Sequence, residues 1–271
     1  MRKIYIALII IMLVTFSAAA VLLFVELTNV KLNYYTINKE QEITLEPNIQ
    51  KIEINSKKAY SVVICTTYTK DVKVMLNGSY NSIMQTDIEV LFSTKNDVLT
   101  IDVAEKGFLK YVNLSSYSNN SLELVVYVPA DFTHELDVNA TAGELAIQDV
   151  NTSNINVTGA IVDFNSENIF CDVKVNGIID SINMTYRELN SNVEISGISN
   201  KVNINVLKGS SYVVENTALG SKTNYYLDNN LNYNVKIIGS NKIILHGLNV
   251  ELNVNEYTIL KETTLLKSVN L

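Results

Sequence analysis

The chain has 271 residues, 47% of them hydrophobic and 18% charged, a composition that folds rather than staying disordered. Its formal net charge is -7, carried by acidic groups scattered along the chain. That balance argues against nucleic acid and anionic headgroups as partners, since both select clustered Lys and Arg.

Met1-Arg2-Lys3 opens the chain, followed by an apolar run over residues 4–25 that Glu26 closes. A helix needs about 20 apolar residues to cross the hydrocarbon core, and this run suffices. Thr15 and Ser17 do not interrupt it, because a helix returns such hydroxyls to its own carbonyls. Arg2 and Lys3 hold the short side in the cytoplasm. The sequence therefore predicts a single-pass cell-membrane protein, extracytoplasmic after Glu26. A cleaved signal peptide is the competing reading, with Ala18-Ala19-Ala20 as its A-x-A site. The apolar run continues past that site through Val25, which favours an uncleaved anchor. Residues 1–28 are assigned to a cytoplasmic tip and transmembrane anchor, 29–48 to a linker, 49–254 to a β-strand-repeat domain and 255–271 to a tail.

Beyond the anchor the apolar residues alternate with polar ones, the period of a half-buried strand. Ile52-Glu53-Ile54, Val72-Lys73-Val74, Leu99-Thr100-Ile101 and Leu122-Glu123-Leu124 are examples. Asn77-Gly78 and the Asn/Ser cluster over 115–121 read as turns. From about residue 130 the alternation becomes periodic, with apolar pairs at Leu136/Val138, Leu145/Ile147, Ile155/Val157, Val173/Val175, Ile182/Met184, Val193/Ile195 and Val202/Ile204. Two such pairs make a unit of roughly 18–20 residues, with 161–164 the poorest fit. Ala142-Gly143, Thr158-Gly159, Asn176-Gly177 and Ser196-Gly197 follow several pairs and read as corners or tight turns. The predicted fold is all-β, a β-solenoid-like stack or stacked antiparallel sheets, with the solenoid favoured. In that register Val157→Asp should cost several kcal/mol and Asn156→Asp little.

The string Ser121-Leu122-Glu123-Leu124-Val125-Val126-Tyr127-Val128-Pro129 leads into Leu136-Asp137-Val138 and then Gly143-Glu144-Leu145-Ala146-Ile147. Together these resemble the bacterial putative-adhesin family of β-strand-repeat proteins. Val157-Thr158-Gly159-Ala160-Ile161, Val175-Asn176-Gly177-Ile178-Ile179 and Ile195-Ser196-Gly197-Ile198 are similar to further copies of its repeat. The resemblance spans roughly residues 50–245. It implies a β-repeat fold and export, with Asn-Gly here replacing several of the family's Ser/Thr-Gly steps.

Chemistry is sparse. His134 and His246 are the only histidines, too few for a three-His metal site within one chain, and both read as solvated or capping side chains. Gly220-Ser221-Lys222-Thr223 lacks the upstream P-loop glycine and reads as a turn. Asp163-Phe164-Asn165-Ser166-Glu167-Asn168 spaces oxygen donors as a calcium loop does, but lacks the loop's sixth-place Gly and closing Glu. Tyr34-Tyr35 and Tyr225-Tyr226 read as interfacial or strand residues before sugar-stacking ones. Cys65 and Cys171 lie in strand-like runs and read as buried small hydrophobes, not a disulfide. No catalytic, cofactor-binding or metal residue is assigned, and no cofactor. The functional expectation is a non-enzymatic extracytoplasmic binding module, adhesin-like, whose partner is a protein or cell-envelope polymer met through its solvated face. A sensory ectodomain working with a membrane partner is the alternative, and a cell-surface hydrolase ranks last.

Overall fold

The computed structural model describes residues 33–57, 59–82, 87–106, 121–186, 192–206, 211–216, 222–227, 233–238, 242–246, 250–252, 256–262 and 265–269, with Met12 and Thr15 to Ser17. The expected anchor lies outside the described residues except for those last four, which are helical. There Thr15 Oγ1 donates to the Met12 carbonyl at 3.0 Å, the local return expected of a hydroxyl in an apolar helix. Among the described residues no helix is long and apolar enough to cross a membrane.

All other regular structure among the described residues is strand. The chain forms β1 (Asn33–Thr44), β2 (Lys51–Ser56), β3 (Ser61–Thr67), β4 (Asp71–Ser82), β5 (Asp87–Lys95), β6 (Val98–Lys106) and β7 (Glu123–Pro129). Four longer strands follow: β8 (Glu135–Gln148), β9 (Asn154–Glu167), β10 (Asp172–Tyr186) and β11 (Asn192–Val206). The described set ends with β12 (Ser211–Asn216), β13 (Lys222–Leu227), β14 (Tyr233–Ile238), β15 (Lys242–His246), β16 (Val250–Leu252), β17 (Glu256–Glu262) and β18 (Leu265–Val269).

The long strands β8 to β11 pair in parallel and in register, so that Leu136, Ile155, Val173 and Val193 form one column. The register skips a single position in each, at Gly143, Val162, Asp180 and Asn200, where the strand turns a corner. Each long strand is thus one rung of a solenoid, crossing two sheets. The first sheet adds β2, β6 and β5 on one side and β12, β14, β17 and β18 on the other. The second adds β3, β7, β4 and β1, and beyond β11 the strands β13, β15 and β16. Antiparallel pairing is confined to the two ends, where it caps the stack. Of the two expected architectures, the parallel solenoid-like stack is the one observed.

Side chains hydrogen-bonded between successive rungs lie 19, 18, 20 and 21 residues apart, which matches the expected period. The core follows the alternation. Ile52, Ile54, Leu136, Ile155, Val157 and Val175 are all at most 1% exposed, while Glu53, Asp137 and Asn156 between them are half-buried. Each buried Val, Ile or Leu contributes about 1.5–3 kcal/mol relative to exposure, and every rung supplies several. The poor fit over 161–164 has a cause. That rung fills its second-sheet slots with Phe164 and Ser166, where its neighbours have Leu145/Ile147 and Ile182/Met184. The buried Ser166 hydroxyl finds no hydrogen-bond partner.

The fold revises several local expectations. The segment read as a linker contains β1, paired along its length with β4, and the segment read as a tail contains β17 and β18. Asn77-Gly78 is no turn but lies inside β4, where Gly78 adopts φ 121°. Gly143 does not stack with the other repeat glycines. The column is Ala140, Gly159, Gly177 and Gly197, three residues before the corner.

Candidate functional site

The corner builds a groove. After each column glycine comes an outward residue, then an inward one, then an outward one again. The first outward column is Thr141, Ala160, Ile178 and Ile198, with Ile178 63% and Ile198 48% exposed. The inward column, Ala142, Ile161, Ile179 and Ser199, forms the floor. The corner column supplies the far wall, where Val162 is 52% exposed and Asp180 and Asn200 reach solvent. Asn200 Nδ2 donates to Asp180 Oδ1, tying two adjacent rungs at the rim. Tyr60, from the turn before β3, lies over Gly143 and closes one end. The resulting groove has a volume of about 460 Å³ and an aliphatic lining. It falls within the usual small-ligand range of roughly 300–1,000 Å³.

Two polar ladders run beside it. On the first sheet Asn156 Nδ2 donates to Glu135 Oε1 at 2.8 Å and to Asp137 Oδ1 at 2.7 Å. Lys51 Nζ meets Asp137 Oδ2 at 2.6 Å and Glu135 Oε2 at 3.3 Å. On the second sheet Asn183 donates to Asn165, Asn203 to Asn183 and Asn224 to Asn203, at 2.9, 2.6 and 2.8 Å. Ala146 and Ile244 occupy the register positions at either end, where no amide exists to extend it. The hydrogen bonds of these ladders run mostly from rung to rung, so they read as struts rather than as a receptor surface.

The hydrogen bond from Lys51 to Asp137, with Glu135 adding to it, holds the Lys51 ammonium above the ordinary lysine value against the opposing effect of partial burial. A raised lysine stabilises the fold fully below its unfolded value, about 10.4, and loses that contribution as pH climbs through the folded value. Unfolding followed by circular dichroism from pH 7 to 11 should therefore show an alkaline loss of stability that is smaller in Lys51→Met. The same variant should cost no more than about 1 kcal/mol at pH 7, because the cluster is solvent-accessible. An unchanged alkaline limb would mean that this contact carries none of it.

The sequence-derived candidates scatter. His134 is half-buried, edge-on to Phe132 with ring centroids 5.7 Å apart, and its carbonyl accepts from Ser153 N–H at 2.9 Å. His246 ends β15 and Tyr225-Tyr226 lie in β13, paired with Leu245 and His246. Tyr34 is exposed, whereas Tyr35 stacks on Tyr80 at 5.4 Å. Lys222 and Thr223 begin β13 rather than forming a turn, and Gly220 and Ser221 lie outside the described residues. Asp163 to Glu167 belong to β9, so Asp163, Asn165 and Glu167 line its outer face while Ser166 faces inward, and an extended strand of this kind does not wrap a cation as a calcium loop does. Asn165 serves the amide ladder, and Asn168 Nδ2 donates to Asp149 Oδ1 at 2.7 Å. Among the described residues no group of three or more His, Cys, Asp and Glu is placed to hold a metal.

Both cysteines are free thiols. Cys171 is buried as expected, its sulfur 3.7 Å from Thr152 Oγ1, and burial pushes its thiol up to about 11. Cys65 departs from expectation. Val62 and Ile64 take the buried side of β3, leaving Cys65 half-buried on the outer side, where partial burial and then Asp149 also raise it. Since the thiolate is the nucleophile, native protein at pH 8 should alkylate faster at Cys65 than at Cys171, with both reacting readily once unfolded. A bridged mass under non-reducing conditions would contradict this arrangement.

The groove itself escaped sequence reasoning. Its signal was present in Gly177-Ile178-Ile179, because adjacent strand residues face opposite sides and two successive isoleucines cannot both be core.

The family model described as Toastrack DUF4097 matches residues 49–242. A search of curated proteins finds no match. Among solved structures the chain is similar to a putative cell adhesion protein from Clostridium sporogenes, at 15% identity over 77% of this chain and 98% of that one, TM-score 0.34. It is similar to a putative adhesin from Bacteroides fragilis at 10% identity over 77% and 97%, TM-score 0.37. A putative lipid binding protein from Parabacteroides distasonis shares 13% identity over 77% and 96%, TM-score 0.30.

Proposed function

The chain belongs to the Toastrack DUF4097 family, and from that premise we propose that it is a membrane-tethered, extracytoplasmic, non-catalytic binding module, adhesin-like in that it engages an envelope component. The observation that carries this reading is the corner groove. Soluble surfaces rarely leave a cluster of large aliphatics in water without use, and here Ile178 and Ile198 stack on successive rungs with Val162 exposed on the opposite wall. Parallel rungs fix the groove's walls on strands rather than loops, the arrangement solenoids use to present extended binding surfaces. The apolar segment over residues 4–25 and the Arg2/Lys3 pair support a tether, which raises the effective concentration of the module towards its own envelope.

The solvated polar face was the expected contact surface; the groove now takes that role, because the polar columns are occupied by one another. The test uses residues 30–271, which contain the whole core from Ile49 to Ile204. Binding of this fragment to purified envelope should weaken about tenfold or more in Ile178→Ser with Ile198→Ser, given the apolar contact removed. Binding that ignores both substitutions would discard the groove as the site. Protease added to intact protoplasts should degrade the β region, and its survival would overturn the orientation.

A further inference from the structure

Building on the reading that the corner groove is the binding site, we propose that its occupant is a single alkyl chain with a cationic head group, lying along the solenoid axis. The groove runs across four rungs from Gly143 to Ile198, about 14 Å at the usual strand spacing. Three other occupants fit worse. An extended peptide places same-side residues about 6.7 Å apart, out of step with walls that repeat every 4.8 Å or so. It would also bring backbone donors and acceptors against strands whose own are engaged with the neighbouring rungs, leaving its polar groups unsatisfied. A polymethylene chain has neither a period nor polar groups to satisfy. A sugar needs aromatic platforms, and among the described residues Tyr60 is the only aromatic side chain lining the groove. A second copy of the chain needs about 800 Å² of surface per partner, far more than a groove of this size offers.

Charge selects the head group. Among the described residues Asp180 is the only charged side chain in the lining, and it stands at the rim, exposed, fixed by Asn200. An anionic head would face that carboxylate within a molecule of net charge -7. A cationic head meets it favourably from the solvent side while the chain fills the floor over Ile161 and Ile179.

The experiment titrates residues 30–271 by calorimetry with decyltrimethylammonium, decyl maltoside and decyl sulfate, each below its micelle concentration. Decyltrimethylammonium should bind one to one, about two- to fivefold tighter than decyl maltoside, as an exposed ion pair allows, with decyl sulfate weakest. Asp180→Asn should erase the preference for the cation without abolishing binding. Ile178→Ser, at a solvent-exposed position, should weaken all three probes about tenfold or more with the circular dichroism spectrum unchanged. Decyl sulfate binding as tightly as the cation would overturn the head-group assignment. Binding with many probes per protein, or indifferent to Ile178→Ser, would show surface adsorption and overturn the site. If no probe binds while Ile178→Ser with Ile198→Ser still weakens envelope binding, the alkyl ligand falls and the binding module stands. If those substitutions are silent in both assays, both fall.

Discussion

Gly177→Ala should destabilise the domain by about 3 kcal/mol or more, read from urea unfolding of residues 30–271, although it adds a single methyl group. Gly177 lies in β10 with φ 157°, and a Cβ built there would stand 2.1 Å from the Gly159 carbonyl oxygen of the rung beneath. That atom is backbone inside a parallel ladder, so it cannot swing aside as a side-chain tip would. Gly159 meets the Ala140 carbonyl and Gly197 the Gly177 carbonyl in the same way. Relief requires the rungs to separate, at the expense of ladder hydrogen bonds and of the core contacts on both sides of the corner. Ala ordinarily stabilises relative to Gly by restricting the unfolded chain, by about 0.4–1 kcal/mol where the backbone tolerates it. At φ 157° that gain does not apply, so the loss reports the close approach together with the strain of a Cβ in this backbone conformation. A change smaller than about 1 kcal/mol would mean that the rungs are not held this tightly.

Much of this architecture is legible in the residues, and its limits are instructive. Alternation identifies the inward side chains because a strand has only two faces, so Leu136/Val138, Ile155/Val157 and Val173/Val175 declare the first sheet's core directly. The unit length follows from the same pairs. Alternation does not say which residues stack, since register depends on partners remote in the chain. Hence the small-residue–Gly context groups Gly143 with Gly159, Gly177 and Gly197, although the rung pairs Gly159 with Ala140. The apolar-pair reading also treats every short stretch as straight. At the corner two successive residues both face outward, Val162 and Asp163 in one rung and Asp180 and Ser181 in the next, and the pattern changes phase there. The groove exists because of that change of phase, which is why a reading based on period alone passed over it. Mid-strand Asn77-Gly78 is a similar case: turn chemistry describes what Gly permits, and here what it permits is the approach of the Ser121 backbone.

Val157→Asp should cost about 3–5 kcal/mol at pH 7. Val157 is fully buried between Val138 and Val175, so the new carboxylate would have no water and no cation. Its neighbour tests the register from the other face. Asn156→Asp was expected to change little, as an outward substitution of nearly equal shape. The structure raises that expectation to about 1–2 kcal/mol, because the Asn156 amide donates to both Glu135 and Asp137. Aspartate would convert two hydrogen bonds into two repulsions, with Lys51 the one cation among the described residues contacting those carboxylates. Both variants introduce an acid whose charged form the fold disfavours, so its folded pKa is raised above the unfolded value near 3.9. The sign follows: each penalty is complete above the folded value and shrinks as pH falls through it, since the folded state then takes up the proton more readily. Urea unfolding at pH 7 and pH 4 should show both variants recovering part of their deficit. Val157→Asp should stay the worse of the two at either pH, because a neutral carboxyl in that core still lacks a partner. Equal losses at the two positions would mean that Val157 does not face inward, and the column running from Val138 to Val175 would have to be abandoned.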